Sequence, residues 1–323
     1  MSEPEREIEE RLSRSVAAYH EAALVYTAVK LNLAEKMGAA SWRAKPLAAA
    51  LGLSAPHLGR FLRGLCIIGL CEERADGSFA LTSAGRSLMP GSRLAMKVEI
   101  VVEQYWQPWA NLILTLHNGV PAFERVFGAS VFDWRRAHHE QGALFASYLA
   151  KENASALDAI IQAVDFAGVA TVAVLQSQSQ FAGETFDSAR MVELSRPFSR
   201  LFDVASRVEF VPGNLLEEIP VEADLYLLIG VLQQFADADA ATILKNCRAA
   251  MRDGARLVIA ERLLPARATE DPGAVMLDLH MMTITGGRAR TLADFETLLS
   301  HSGLAPSNVK ATRTGLSIIE STG

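Results

Sequence analysis

The sequence predicts an α/β protein: a parallel sheet with helices on both faces in the C-terminal half, behind a mostly helical N-terminal region. Three observations carry this. First, residues 208–261 read as strand, helix, strand: a nearly continuous apolar run over 225–232, helical spacing of Ile243, Leu244, Cys247, Ala250 and Met251, then an apolar strand over 257–260. A run apolar on both faces suits a covered parallel sheet, which βαβ crossovers build. Second, residues 45–81 read as helix, helix, hairpin, a winged-helix arrangement. Third, the 323 residues, half of them hydrophobic, suit two domains.

Taken in order, residues 1–15 are strongly charged and lack the apolar core of a signal peptide. Residues 5–37 form a helix apolar on most of its circumference, which predicts that one side is buried in a partner copy. The next helix, 45–51, stops at Gly52, and Ser54 caps a second over 56–69. Strands 70–72 and 79–81 flank the turn residues Asp76 and Gly77. The second helix of this winged unit offers only His57, Arg60 and Arg63 as polar contacts, so it predicts dimerisation rather than DNA binding.

Residues 93–165 read as all helix and concentrate aromatic side chains, among which Trp106, Trp109 and Phe127 are candidate walls of a pocket for a flat apolar ligand. A first sheet strand follows over 169–175, then the polar run 176–180, then a strand over 190–194 carrying Glu193. After Asp271 come two helices around Gly286 and Gly287, with Thr291 as N-cap, and a last strand over 316–320. The expected domains are 1–92 (winged-helix-like, dimerising), 93–165 (helical linker lining the pocket) and 166–323 (Rossmann-like sheet).

Net charge is −6 with no lysine or arginine block, which argues against nucleic acid as a partner. No apolar run approaches the ~20 residues of a membrane span, so no membrane partner and a cytoplasmic location are expected. Cys66, Cys71 and Cys247 have no metal-ligand spacing, and no metal is expected.

The winged segment with DGSFALTSAGRSL, the pieces PAFERVFG and FDW, then RVEFVPGN, NCRAAMRDGARLVIAERLLP and LDLHMMTITGGRARTLADFETLL occur in one order. With these the chain resembles the class I S-adenosylmethionine-dependent small-molecule O-methyltransferases, of the caffeate and bacterial polyketide type, along nearly its whole length. The resemblance implies a homodimer with interlocked N-terminal domains and a Rossmann-like methyltransferase domain. It also exposes departures. The glycine-rich cofactor loop falls on residues 175–180, which lack glycine. The ribose-binding acid survives as Glu193, the acid near adenine falls at Asn214, and a lysine position at Ile229. The histidine base of the family falls at Gln233, whose amide takes no proton near neutral pH. Of the two glutamates that position that histidine, one is Glu261 and the other is Ala289.

From these departures follows the expectation that no cofactor is used, with the pocket turned to cofactor-independent cyclisation, elimination, isomerisation or decarboxylation of an aromatic or polyketide-like molecule. S-adenosylmethionine is the cofactor in the alternative, a methyltransferase with a drifted site; a second alternative is an inert scaffold. The expected catalytic groups are His280 and Glu261, able to move a proton, and Gln233, able to hold a carbonyl. Trp106, Trp109, Phe127, Asp278, Met281 and Met282 are expected to bind the substrate, a small hydrophobic or aromatic molecule.

Overall fold

The computed structural model describes residues 3–175, 211 and 213–323. The expected strand 190–194, the polar run 176–180 and Glu193 lie outside the described residues. The chain divides into two compact units, Met1–Trp106 and Gln107–Gly323. The aromatic segment 93–165 is thus shared between the two.

The first unit opens with α1 (Glu3–Ala17), α2 (Tyr19–Lys30) and α3 (Leu33–Met37). The single helix expected over 5–37 is interrupted near Ala18 and again at Asn32, which takes φ +50°. Asparagine tolerates this left-handed conformation better than most residues. Helix α4 (Ala44–Leu51) ends at Gly52 with φ +67°, and α5 (Ala55–Ile67) follows. Strands β1 (Cys71–Glu73) and β2 (Phe79–Leu81) pair antiparallel, Cys71 opposite Leu81. Ser78 N–H donates to Asp76 Oδ1 at 3.0 Å, closing the wing turn. Leu33, Leu47, Leu62, Leu65 and Phe79 form the core between these helices and the wing. After α6 (Ser83–Arg86), α7 (Arg93–Ile100) runs into a π-helical turn, Val101–Tyr105. In that turn Glu103 accepts the Tyr26 hydroxyl at 2.8 Å and pairs with Lys30 at 3.0 Å.

Short helices α8 (Trp106–Ala110), α9 (Leu112–Asn118), α10 (Ala122–Phe127) and α11 (Val131–Ala137) lead to the long α12 (His139–Ala163). Then come β3 (Val172–Leu175), β4 (Leu225–Ile229), α13 (Asp237–Ala250), β5 (Arg256–Glu261), α14 (Pro272–Ile284), α15 (Leu292–His301), β6 (Ala305–Ala311) and β7 (Ser317–Thr322). Among the described residues the sheet order is β3-β4-β5-β7-β6, with β3, β4 and β5 parallel and β7 antiparallel to both neighbours.

The apolar run of β4 is explained by its two covered faces. Tyr226 and Leu228 pack with Ile243, Leu244 and Cys247 of α13 and Phe295 of α15, while Leu225 and Leu227 pack with Ile160 and Val164 at the end of α12. Each such fully buried side chain contributes about 1.5–3 kcal/mol. Thr291 caps α15 as expected, with Asp294 completing a capping box. Among the described residues no helix is long and apolar enough to cross a membrane, and no group of three or more His, Cys, Asp or Glu is placed to hold a metal.

Candidate active site

The site is built where β4 and β5 end, since side chains at the carboxyl ends of parallel strands face the ligand crevice of such sheets. The apolar run expected to continue to 232 stops at Ile229, because Gly230 takes φ +59° and turns the chain out of the sheet. Gly230 N–H donates to Ala260 O at 3.0 Å, and a short 3-10 turn, Leu232–Gln234, follows. Gln234 Nε2 donates back to Gly230 O at 2.7 Å.

Arg290 grips this turn from the segment after α14. Its side chain is fully buried; Nη1 donates to Leu232 O at 2.8 Å, Nη2 to Phe235 O at 2.9 Å and Nε to Asp237 Oδ1 at 3.0 Å. Gly287 packs its backbone on the same turn: a Cβ there would collide with the Gln233 carbonyl oxygen. No pattern in the sequence marked Arg290 or this close approach. Arginine is normally an exposed residue, and its burial here depends on carbonyls supplied by a segment more than fifty residues away.

Glu261, the last residue of β5, is 1% exposed. Its Oε1 accepts the Gln233 backbone N–H at 3.1 Å, while Oε2 is buried with no hydrogen-bond partner. Burial pushes its pKa up to about 7, against the downward pull of the Gln233 N–H, of Arg290 and of the Leu232 N–H. The Gln233 side chain does not cap this carboxyl: its Nε2 lies beside Gly230, 3.3 Å from where a Cβ on that glycine would stand. Ala289 is fully buried, and its N–H donates to Asp278 Oδ1 at 2.8 Å. Asp278 therefore holds the chain after α14.

On α14, His280 Nδ1 accepts the Trp109 indole N–H at 3.1 Å, with the ring planes 20° apart. Burial and the charge of Arg135 push the His280 pKa down to about 4. The hydrogen bond acts the same way, because an imidazolium would present N–H to N–H. His280 is thus neutral near pH 7, with its proton on Nε2, the tautomer following from the bond at Nδ1. Met281 is buried and Met282 half-buried beside it. Phe127 is half-buried in an aromatic cluster with Phe123 at 4.6 Å and Trp134 at 5.1 Å between ring centroids. Trp106 is half-buried at the last position of the first unit.

Asn214 forms a local turn: its Oδ1 accepts from Leu216 N–H at 3.0 Å and its Nδ2 donates to Glu217 at 2.9 Å. Next to that turn a cavity of about 280 Å³ opens, lined by Leu216, Gln234, Phe235, Ala236, Phe132 and Asp239 among others. The Phe132 and Phe235 rings are stacked within 7° of parallel, 5.8 Å apart. Phe235 ends the stretch 230–235 expected around the pocket and Phe132 belongs to the aromatic segment 93–165, although neither was singled out as a substrate-binding residue. The cavity belongs to the Gln234–Phe235 end of the turn, whereas Glu261 lies beneath Gln233.

Residues 106–305 match the O-methyltransferase domain family. The phenazine O-methyltransferase PhzM of Lysobacter antibioticus is 31% identical, covering 96% of this chain and 94% of that protein. The crystal structure of LaPhzM superimposes with a TM-score of 0.84 at 28% identity, over 97% of this chain and 98% of that one. The O-methyltransferase NcsB1 of neocarzinostatin biosynthesis, solved with S-adenosylmethionine and 2-hydroxy-5-methyl naphthoic acid, has the same fold: TM-score 0.74, 23% identity, 94% and 96% coverage.

These findings correct the expectation that no cofactor is used. It rested on a few motif positions, and chain-wide similarity to methyltransferases outweighs them. The loop segment that weighed most in it, 176–180, lies outside the described residues. By family match and by similarity along its whole length, the chain belongs to the bacterial natural-product O-methyltransferases.

Proposed function

We propose that this protein transfers a methyl group from S-adenosylmethionine to a heteroatom of a small, flat aromatic acceptor in natural-product biosynthesis. The observation that carries this reading is the cavity beside the Asn214 turn, at the crevice where the fold receives ligands. Its lining suits the donor: Phe132, Phe235 and Leu216 offer apolar faces to an adenine-like ring, and Asp133 and Asp239 suit a cationic sulfonium. At about 280 Å³ the volume lies just below the usual span of small-molecule pockets, roughly 300–1,000 Å³. When bound, S-adenosylmethionine supplies an electrophilic methyl group.

The chain's own residues bind, orient and manage protons. Phe235, Leu216 and Gln234 would hold the donor, with Asn214 shaping the turn beside it. Trp109, His280, Phe127, Met281 and Met282 would line the acceptor side. His280 holds its proton near pH 7, so its part there is to donate a hydrogen bond rather than to accept a proton. Gln233 contributes an amide that orients. Asp278, bound to the Ala289 N–H, supports this wall from behind.

The N-terminal unit is read as the dimerising part. Ile8, Leu12, Val16 and Tyr19 leave an exposed apolar stripe along α1 and the start of α2, between 50% and 76% exposed. Such a stripe suits a second copy of the chain.

Calorimetry with S-adenosylhomocysteine tests the reading directly. A dissociation constant in the micromolar range, about −8 kcal/mol, is expected. No binding at millimolar ligand would overturn it. Transfer of labelled methyl to 2-hydroxy-5-methyl naphthoic acid, the compound bound in the NcsB1 structure, is the companion measurement.

A further inference from the structure

We infer that Glu261 is the proton acceptor of the transfer step, its unmatched Oε2 taking the proton of the acceptor hydroxyl. The inference rests on the proposed methyl transfer and adds the residue that makes the nucleophile. Among the described residues three side chains hold a buried polar atom without a hydrogen-bond partner: Trp42 Nε1, Thr115 Oγ1 and Glu261 Oε2. Only Glu261 stands at the carboxyl end of a sheet strand, and only Glu261 changes protonation in the accessible pH range. A buried polar atom with no partner calls for one, and a proton passed in from a ligand bound over Gln233 would supply it.

Of the other proton-accepting groups around the turn, Asp133 and Asp239 line the donor cavity and the rest make hydrogen bonds of their own. Asp278 Oδ1 takes the Ala289 N–H, His280 Nδ1 takes the Trp109 N–H, and Asp237 takes Arg288 and Arg290. The charge facing Glu261 is Arg290, and its N–H groups are spent on Leu232 O, Phe235 O, Arg288 O and Asp237 rather than on the carboxyl. The carboxyl is therefore not locked in a salt bridge. Oε1 stays anchored on the Gln233 N–H while Oε2 is left to exchange a proton. Beside this geometry, burial raises its pKa to about 7, close to neutral pH, where a general base works best.

The step balances. The acceptor O–H bond breaks with its proton going to Oε2, and the electron pair remaining on oxygen forms the O–CH₃ bond. The S–CH₃ bond of the sulfonium donor breaks, leaving a thioether. The positive charge of the sulfonium and the negative charge of the carboxylate disappear together, and Glu261 then releases its proton to solvent.

The test is a single-turnover pH profile with labelled S-adenosylmethionine and 2-hydroxy-5-methyl naphthoic acid, for the wild type, Glu261→Gln and Glu261→Asp. The wild-type rate should rise along an acidic limb centred near 7. Glu261→Gln should lose the limb and about a hundredfold in rate, and Glu261→Asp should be slower yet keep a limb. Isotope-edited infrared spectroscopy of glutamate-labelled protein supplies a readout free of turnover: a carboxyl band titrating near 7, missing from Glu261→Gln. S-adenosylhomocysteine binding, unchanged in Glu261→Gln, separates the two levels. A wild type that fails to bind it overturns the methyltransferase reading. A Glu261→Gln variant that binds it and keeps rate and limb overturns Glu261 as acceptor, as does a band titrating in the ordinary carboxylate range.

Discussion

Arg290 and Glu261 are both buried, both charged in water, and both hold the turn that follows β4. Arg290 holds it through carbonyl oxygens, and its donors are matched by Leu232, Phe235 and Asp237. Glu261 holds it through backbone N–H groups, chiefly that of Gln233, with a weaker pull from that of Leu232, and its Oε2 has no hydrogen-bond partner of normal geometry. A buried charge whose hydrogen bonds are complete is a structural fastener, because any change leaves partners stranded. A buried carboxyl with one idle oxygen gains little stability from its charge and keeps chemistry available. The difference suggests which of two neighbouring charged residues maintains the site and which works in it.

The comparison is broken most strongly at Arg290. Arg290→Met would strand the buried Leu232 and Phe235 carbonyls, whereas half-exposed Asp237 keeps Arg288, and should destabilise the protein by about 2–5 kcal/mol, read from urea unfolding midpoints. Arg290→Lys should recover little, since an ammonium does not reproduce the planar fork that meets three acceptors.

The Glu261 side is sharpened by pH. Its folded pKa of about 7 lies above the ordinary 4.5, so between these values the folded protein binds the proton more tightly than the unfolded chain. The stability this supplies is fully present below 4.5 and lost as pH rises through about 7. At ~1.36 kcal/mol per pH unit the loss amounts to about 3 kcal/mol. Unfolding of wild type and Glu261→Gln, measured from pH 4.5 to 8, should show this fall in the wild type and a flatter curve in the variant. Parallel curves would mean that Glu261 is as fully matched as Arg290.

The smallest expected effect concerns the packing beneath both residues. Gly287→Ala drives a methyl group into the Gln233 carbonyl, and should cost about 1–3 kcal/mol in thermal or urea unfolding as the turn shifts to make room. Its donor binding should weaken along with stability, because the displaced turn also lines the cavity.

Local patterns in the chain already determined much of this protein. The two-sided apolar run over 225–232 required a covered parallel strand, and Gly52, Thr291 and the Asp76–Gly77 turn marked boundaries that reappear in space. Such features are readable because backbone geometry and burial periodicity act over a few residues. Ordered motifs carried the family as well. The use made of the site was misjudged where single positions were taken to decide it. By the resemblance, Gln233 and Ala289 stand in place of a base and a carboxylate, while the glycine-free segment 175–180 and Ile229 carried the expectation that the cofactor is lost. Only the tertiary structure decided that Glu261 keeps an unmatched oxygen, that Arg290 is spent on carbonyls, and that burial keeps His280 neutral beside the Trp109 N–H. It also brought Phe132 against Phe235. Each depends on a partner tens to more than a hundred residues away or on exclusion of water. Proton affinity and hydrogen-bond matching are set by that surrounding, and residue spacing carries no record of it.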